Sequence, residues 1–337
     1  MLRRLPVYLL LDCSESMAGP PLDAVENGVV TMLAALRKNP YAMETVHLSL
    51  ITFDAKARVT VPLTEIPAIT PPRLSIRPGT SLGAALDLLH DSLQKDIVQT
   101  TAGQKGDYRP LVFILTDGQP TDEWQPAAAR LRAASPKLAN IYGIGCGDEV
   151  DFTALSRIAD VCLHMRGLST ESFAQFFVWM SASVQSVSVA PDQKVSLDKF
   201  PLQDGMELVD QDNPPPLSER GRRLFFHVCC RKSKKHYLMR YRFEPSFDLY
   251  LAQDAIALDD DFFSDGALKA PAVSSDALHG AVDCPYCRAS NWAQCGFCKH
   301  LFCIDEGFDE PSLVCPVCET KLTGGHSGAF GIEGSAG

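Results

Sequence analysis

Leu5-Pro6-Val7-Tyr8-Leu9-Leu10-Leu11-Asp12-Cys13-Ser14-Glu15-Ser16 is the stretch whose reading decides the fold. Its first seven residues are apolar without interruption, as a strand covered on both faces of a parallel sheet requires. An acid and two hydroxyls follow at its C-terminal end, where open α/β sheets place their ligands. Preceded by Met1-Leu2-Arg3-Arg4, the run imitates a signal peptide, but it is short, ends on Asp12 and lacks a small-residue cleavage site. A buried first β-strand accounts for it better.

Outward from this strand, short apolar runs alternate with helix-period segments as far as residue 187. The pattern predicts strands at Leu5–Asp12, Val46–Asp54, Ala57–Val61, Pro110–Thr116, Ala139–Ile144 and Val161–Met165. It predicts helices at Leu22–Lys38, Ser81–Asp96, Pro126–Ala134, Phe152–Ala159 and Glu171–Ser186. In the first helix Leu22, Val25, Val29, Met32, Leu33 and Leu36 fall three or four apart on one face. Such alternation implies an α/β fold with a doubly wound, mainly parallel sheet. A turn at Asp54-Ala55-Lys56 makes Val46–Val61 a hairpin, with one antiparallel strand at the sheet edge.

Beyond residue 189 helical periodicity stops. A β-rich segment is expected over 190–270, a cysteine module over 280–323 and a flexible, glycine-rich tail over 324–337. Within the β-rich segment, Arg222–Cys230 and His236–Phe243 flank the polar turn Arg231-Lys232-Ser233-Lys234-Lys235. Residues 220–242 hold nine Arg or Lys and no acid. That is either a surface for an anionic partner or a solvated hairpin paired with acids such as Asp259, Asp260 and Asp261.

The whole chain of 337 residues carries 41 acidic side chains against 31 Lys plus Arg, a formal charge of −10. This balance argues against bulk binding of nucleic acid or anionic membrane, and no apolar run approaches a membrane span. A cytoplasmic location is the expectation, and in a reducing compartment clustered cysteines hold metal more often than they form disulfides.

Three loops at the strand ends carry oxygen donors: Asp12, Ser14 and Ser16; Thr80 after Gly79; and Asp117 between Thr116 and Gly118. Hard divalent cations take oxygen ligands, and hydroxyls with two carboxylates leave a position open for a further carboxylate. Any one loop alone reads as a cap or a turn. Asp12-x-Ser14-x-Ser16, Thr80 and Asp117, in this order, resemble the metal-ion-dependent adhesion site of von Willebrand factor A domains, over roughly residues 1–187. The resemblance implies that Ser14, Ser16 and Thr80 touch a Mg²⁺ or Mn²⁺ ion directly, with Asp12 and Asp117 acting mainly through water. It implies a binding module whose protein partner supplies an Asp or Glu, not an enzyme. No nucleophile–base pair stands out, and Gly143-Ile144-Gly145-Cys146-Gly147 lacks the Lys-Ser/Thr of a phosphate loop.

The cysteine module reads Cys284-x2-Cys287, Cys295-x2-Cys298-x-His300-x2-Cys303 and Cys315-x2-Cys318. Seven thiols and one imidazole match two tetrahedral zinc sites. Cys284 and Cys287 could join Cys315 and Cys318 as a zinc ribbon, leaving Cys295, Cys298, His300 and Cys303 for the second ion; a cross-braced pairing is equally drawable. Part of the pattern resembles RING fingers, but Glu306 stands where the next ligand should be and Cys295 is extra, which counts against a ubiquitin ligase. The remaining cysteines, Cys13, Cys146, Cys162, Cys229 and Cys230, read as packing residues.

The N-terminal adhesion-type domain joined to a C-terminal metal module resembles TerY-like proteins of bacterial tellurium-resistance and stress gene clusters. Arg4-Leu5-Pro6-Val7-Tyr8 and Gly106-Asp107-Tyr108-Arg109-Pro110 support it. The resemblance implies partnership with a protein kinase and a PP2C-like phosphatase. The competing role, as a subunit of an AAA-ATPase or chelatase machine, lacks a visible Walker motif or acidic-proline linker.

Overall fold

The computed structural model describes residues 3–134, 137–147, 150–189, 201–215, 222–258, 272–305, 313–322 and 330–336. It divides into two compact units, residues 1–74 with 80–217 and residues 75–79 with 218–337.

In the first unit, β1 (Leu5–Asp12) lies inside a sheet whose seven described strands run in the order β3-β2-β1-β4-β5-β6-β7. These are β2 (Val46–Phe53), β3 (Ala57–Glu65), β4 (Leu111–Thr116), β5 (Asn140–Cys146), β6 (Val161–Met165) and β7 (Met206–Leu208). β1 is parallel to β2 and to β4, with Leu5 opposite Val46 and Val7 opposite Leu111. Every residue of β1 and β4 is buried, the consequence of helices on both sheet faces. The edge strands β3 and β7 are antiparallel to their neighbours.

Among the described residues six α-helices flank this sheet: α1 (Pro20–Arg37), α2 (Pro40–Thr45), α3 (Leu82–Asp96), α4 (Gln125–Ala133), α5 (Phe152–Ile158) and α6 (Thr170–Val189). Tyr8, Leu10, Val112 and Ile114 share a core with Leu86, Leu89, Leu131 and Leu155, from α3, α4 and α5. α1 and α6 meet closely at Gly28, where an added Cβ would lie 1.9 Å from the Phe177 ring. The two stretches supporting the TerY resemblance also meet: Arg4 grips both oxygens of Asp107, at 2.8 and 2.6 Å, and Arg3 stacks on Tyr108.

The predicted strands and long helices of this unit are present within a few residues. Two elements were not anticipated. α2 starts on Asn39, whose side chain accepts the Ala42 amide, a capping signal in a segment too short to show periodicity. β7 carries the first unit past the expected boundary at 187.

The second unit is also organised on a sheet, in the order β12-β10-β9-β8-β14-β13. Its strands are β8 (Arg223–Cys229), β9 (His236–Glu244), β10 (Leu249–Ala257), β12 (Leu278–His279), β13 (Asn291–Gln294) and β14 (Leu301–Ile304). The shorter β11 (Val273–Ser274) pairs with β17 (Gly331–Ile332), β15 (Leu313–Val314) with β16 (Lys321–Leu322), and β18 (Ser335–Ala336) with β8. The 190–270 and 280–323 segments are therefore not separate bodies, because β14 pairs directly with β8. The tail is corrected too: Ile332 is fully buried among the side chains of this unit. Asp259, Asp260, Asp261, Glu306 and residues 324–329 lie outside the described residues.

Candidate metal centres

Three loops at the C-terminal ends of β1 and β4 and before α3 bring the five predicted oxygen donors together. Asp12, Ser14, Ser16, Thr80 and Asp117 are each at most 3% exposed. Ser14 Oγ lies 2.9 Å from Ser16 Oγ, and Ser16 Oγ donates to Asp117 Oδ1 at 2.5 Å. Asp12 Oδ1 accepts the Ser14 amide at 2.9 Å, and Asp12 Oδ2 accepts the Thr116 hydroxyl at 2.5 Å. Gly118 leaves a gap beside them: a Cβ there would stand 3.6 Å from both Ser16 Oγ and Thr80 Oγ1.

The position of Thr80 depends on two residues that the sequence reading did not single out. Thr121 Oγ1 accepts the Thr80 amide at 3.0 Å, and the Thr121 amide donates to Thr80 O at 2.9 Å. Asp122 accepts the Gly83 and Ala84 amides, both at 3.0 Å, satisfying free N–H groups in the first turn of α3. These partners are separated by about forty positions in sequence, so no local spacing reveals them.

Burial, and after it the nearby charge of Asp117, pushes the Asp12 carboxyl up to about 7. Two buried carboxylates with convergent hydroxyls are a poor arrangement for the protein alone and a good one for a hard divalent cation, which would offset the charge. The donor set thus fits the ion that the adhesion-type motif implies.

The cysteines form two groups, each with all four sulfurs within 4.8 Å of one another: Cys230, Cys284, Cys287 and Cys303; and Cys295, Cys298, Cys315 and Cys318. The Cys287–Cys303, Cys295–Cys318 and Cys298–Cys315 sulfurs are 3.5, 3.6 and 3.7 Å apart. A tetrahedron with Zn–S bonds of about 2.3 Å has S–S edges of about 3.8 Å, whereas a disulfide is about 2.05 Å. The spacing fits four-thiolate zinc sites. The grouping is the cross-braced one, Cys295 and Cys298 with Cys315 and Cys318, and Cys284 and Cys287 with Cys303, but for one ligand; the ribbon pairing is not observed. His300 belongs to neither group; its ring is exposed, with Nδ1 3.3 Å from Cys298 O. Cys230, read as a packing residue, takes the eighth place. The RING-like reading loses the imidazole it required.

The local backbone explains why Cys230 belongs. In each Cys-x2-Cys turn, the amide four residues after the first cysteine bonds back to that cysteine's carbonyl. Arg288 N–Cys284 O, Lys299 N–Cys295 O and Glu319 N–Cys315 O are 2.9, 2.9 and 3.0 Å, and all three donors have φ near +60°. Cys230-Arg231-Lys232-Ser233-Lys234 repeats this geometry, with Lys234 N 2.9 Å from Cys230 O and Lys234 at φ 62°. Ser233 stands where a second cysteine would be, and Cys303 from β14 completes the group instead. The signal in the sequence was Cys-x2-Ser, which a search for cysteine pairs passes over.

Cys13, Cys146, Cys162 and Cys229 remain packing thiols. Burial pushes Cys162 and Cys229 up to about 11 and raises Cys13 and Cys146 well above the ordinary thiol value, so none offers a thiolate near neutral pH. Among the described residues no helix is long and apolar enough to cross a membrane.

The von Willebrand factor type A domain family matches residues 7–176. A Synechocystis sp. protein, the uncharacterised protein sll0103, is 28% identical over 167 residues, 47% of this chain and 36% of that protein. Among solved structures, a von Willebrand factor type A protein from Catenulispora acidiphila is 19% identical with a TM-score of 0.41, over 54% of this chain and 43% of that one. The ArnB paralog VWA2 from Sulfolobus acidocaldarius is 15% identical with a TM-score of 0.40, over 54% and 45%. The chain thus spans less than half the length of each of these. With a matching family model over half its length and the five oxygen donors assembled at the strand ends, the chain belongs to the von Willebrand factor type A domain family.

Proposed function

We propose that this protein is a Mg²⁺-dependent protein-interaction module whose partner completes the ion's coordination with an Asp or Glu carboxylate. The observation that carries the reading is the convergence of Asp12, Ser14, Ser16, Thr80 and Asp117, all buried, from three separate loops. A bound Mg²⁺ supplies Lewis acidity toward an incoming carboxylate. Ser14, Ser16 and Thr80 present neutral oxygens to the ion, and Asp12 and Asp117 balance its charge. With its hydroxyls and carboxylates committed to the ion, the module acts by binding rather than by turnover. The second unit, with zinc in both four-cysteine groups, holds a further docking surface. The resemblance to TerY-like proteins supports a cytoplasmic role in a bacterial stress or phospho-signalling system, with a protein kinase and a PP2C-like phosphatase as candidate partners.

The test is capture of partner proteins by the immobilised full chain in Mg²⁺ and in EDTA. Partners retained in Mg²⁺ are expected to be lost in EDTA, which also strips zinc, and equally with Asp12→Ala or Asp117→Ala, whose zinc content and circular dichroism stay unchanged. Retention by both variants in EDTA contradicts the proposal.

A further inference from the structure

The Cys230 turn carries four cations, Arg231, Lys232, Lys234 and Lys235, within the six residues from Cys230 to Lys235. A zinc–tetrathiolate centre carries two net negative charges, for which basic neighbours are one source of counter-charge. The second cysteine group argues otherwise. Its turns, Cys295–His300 and Cys315–Thr320, contain one lysine and one glutamate, no net charge, around the same four-thiolate arrangement. The excess on the Cys230 turn therefore serves something beyond the metal.

Among the described residues, Asp305 brings one carboxylate to this turn, 3.8 Å from Arg231 and 3.6 Å from Lys232. Lys234 and Lys235 make no ion pair with the described residues. The Lys232 side chain is 58% exposed, against 23% for Arg231, and Lys234 and Lys235 are exposed as well. The outward-facing donors are thus ammonium groups, point charges suited to a compact, multiply charged oxyanion. One aromatic ring lies beside them, with Lys235 Nζ 6.0 Å from the centre of the Tyr286 ring. A long nucleic acid fits poorly with a chain of net charge −10.

We propose that the Cys230 turn is a docking site for a phosphorylated protein segment, and that zinc at the Cys230 group holds it in its binding conformation. A phosphomonoester brings a charge of about −1.5 to −2 and three acceptor oxygens, matching the ammonium groups of Lys234 and Lys235. The coupling follows from geometry. Cys230 opens the turn, the Arg231 amide donates to Cys303 Sγ at 3.3 Å, and the Ser233 amide donates to Cys230 Sγ at 3.4 Å. Without the metal, four like charges on a short hairpin turn repel one another with less to oppose them. This proposal rests on the zinc reading of the Cys230 group.

The experiment measures zinc content and peptide binding together on the full chain. The probes are a fluorescein-labelled peptide carrying two phosphoserines, its unphosphorylated form, its glutamate form and a labelled single-stranded oligonucleotide. The phosphopeptide is expected to bind best. K232E/K234E/K235E should keep two zinc ions and bind it at least about tenfold more weakly. Cys230→Ser should lose one zinc and weaken binding to the same extent. Cys298→Ser, in the other group, should lose one zinc and keep the peptide. Undiminished binding by the charge-reversed variant overturns the docking site, as does equal affinity for the glutamate peptide or the oligonucleotide. Two zinc ions in Cys230→Ser overturn the metal assignment instead, so the two failures are read by different measurements.

Discussion

Asp12 is 1% exposed, its carboxyl raised by burial and by the neighbouring charge of Asp117. In the metal-free protein its folded-state pKa of about 7 lies above the ordinary value for aspartate. The folded state then holds a proton that the unfolded chain releases, so this group's contribution to stability is present at low pH and is lost as pH rises through about 7. Mg²⁺ competes with that proton. The rise in melting temperature on adding Mg²⁺ should accordingly be greater near pH 8 than near pH 5, and Asp12→Asn should flatten the difference; an equal rise at both values would refute the account. At the other centre, Cys230→Ser should reduce zinc from about two to about one per chain, whereas His300→Ala should leave it unchanged. Metal analysis of the two purified variants decides between the cluster seen here and the ligand set expected from spacing alone. The oxygen site was legible in the sequence because all its donors lie in short motifs at predicted strand ends. Thr121 and Asp122 were not, since their bonds reach back about forty residues.

At the level of elements, Gly28 sets how closely α1 and α6 approach, and Phe177 fills the space a side chain would need. Gly28→Ala should destabilise the first unit by about 1–3 kcal/mol through overpacking, measured as a lower urea midpoint. Adding Phe177→Leu should recover part of the loss, because the two side chains share one space. An unchanged midpoint in Gly28→Ala would mean that the helices separate freely. The strands β1 and β4 could be read from apolar runs because parallel central strands have no polar face to obscure the pattern. β7 and β17 could not: they are three and two residues long, too short for any periodicity, and are defined by pairing with distant strands. Ile332 shows the same limit, a single buried apolar residue in a stretch whose glycines suggest disorder. The Cys230 turn lies between these cases, visible in its backbone but disguised in sequence by Ser233.

Over the whole molecule, the two units have separate grounds for stability: a large apolar core in the first, and in the second a smaller core with two cysteine groups. Zinc chelation should therefore unfold the second unit and spare the first. Trp292, whose indole donates to the Tyr241 hydroxyl at 3.1 Å, reports on the second unit, while Trp124 and Trp179 lie in the first. Two calorimetric transitions are expected, of which only one shifts with chelator; a single transition moving as a whole would contradict independent units. The net charge of −10 is likewise an average over a chain that holds a strongly basic hairpin. Mn²⁺, a hard divalent ion visible by electron paramagnetic resonance, reads the oxygen site directly. Titrated into the zinc-loaded full chain, Mn²⁺ should occupy one saturable site, be displaced by Mg²⁺, and lose that site in Asp12→Ala and Asp117→Ala; saturable binding that both variants retain would contradict the claim.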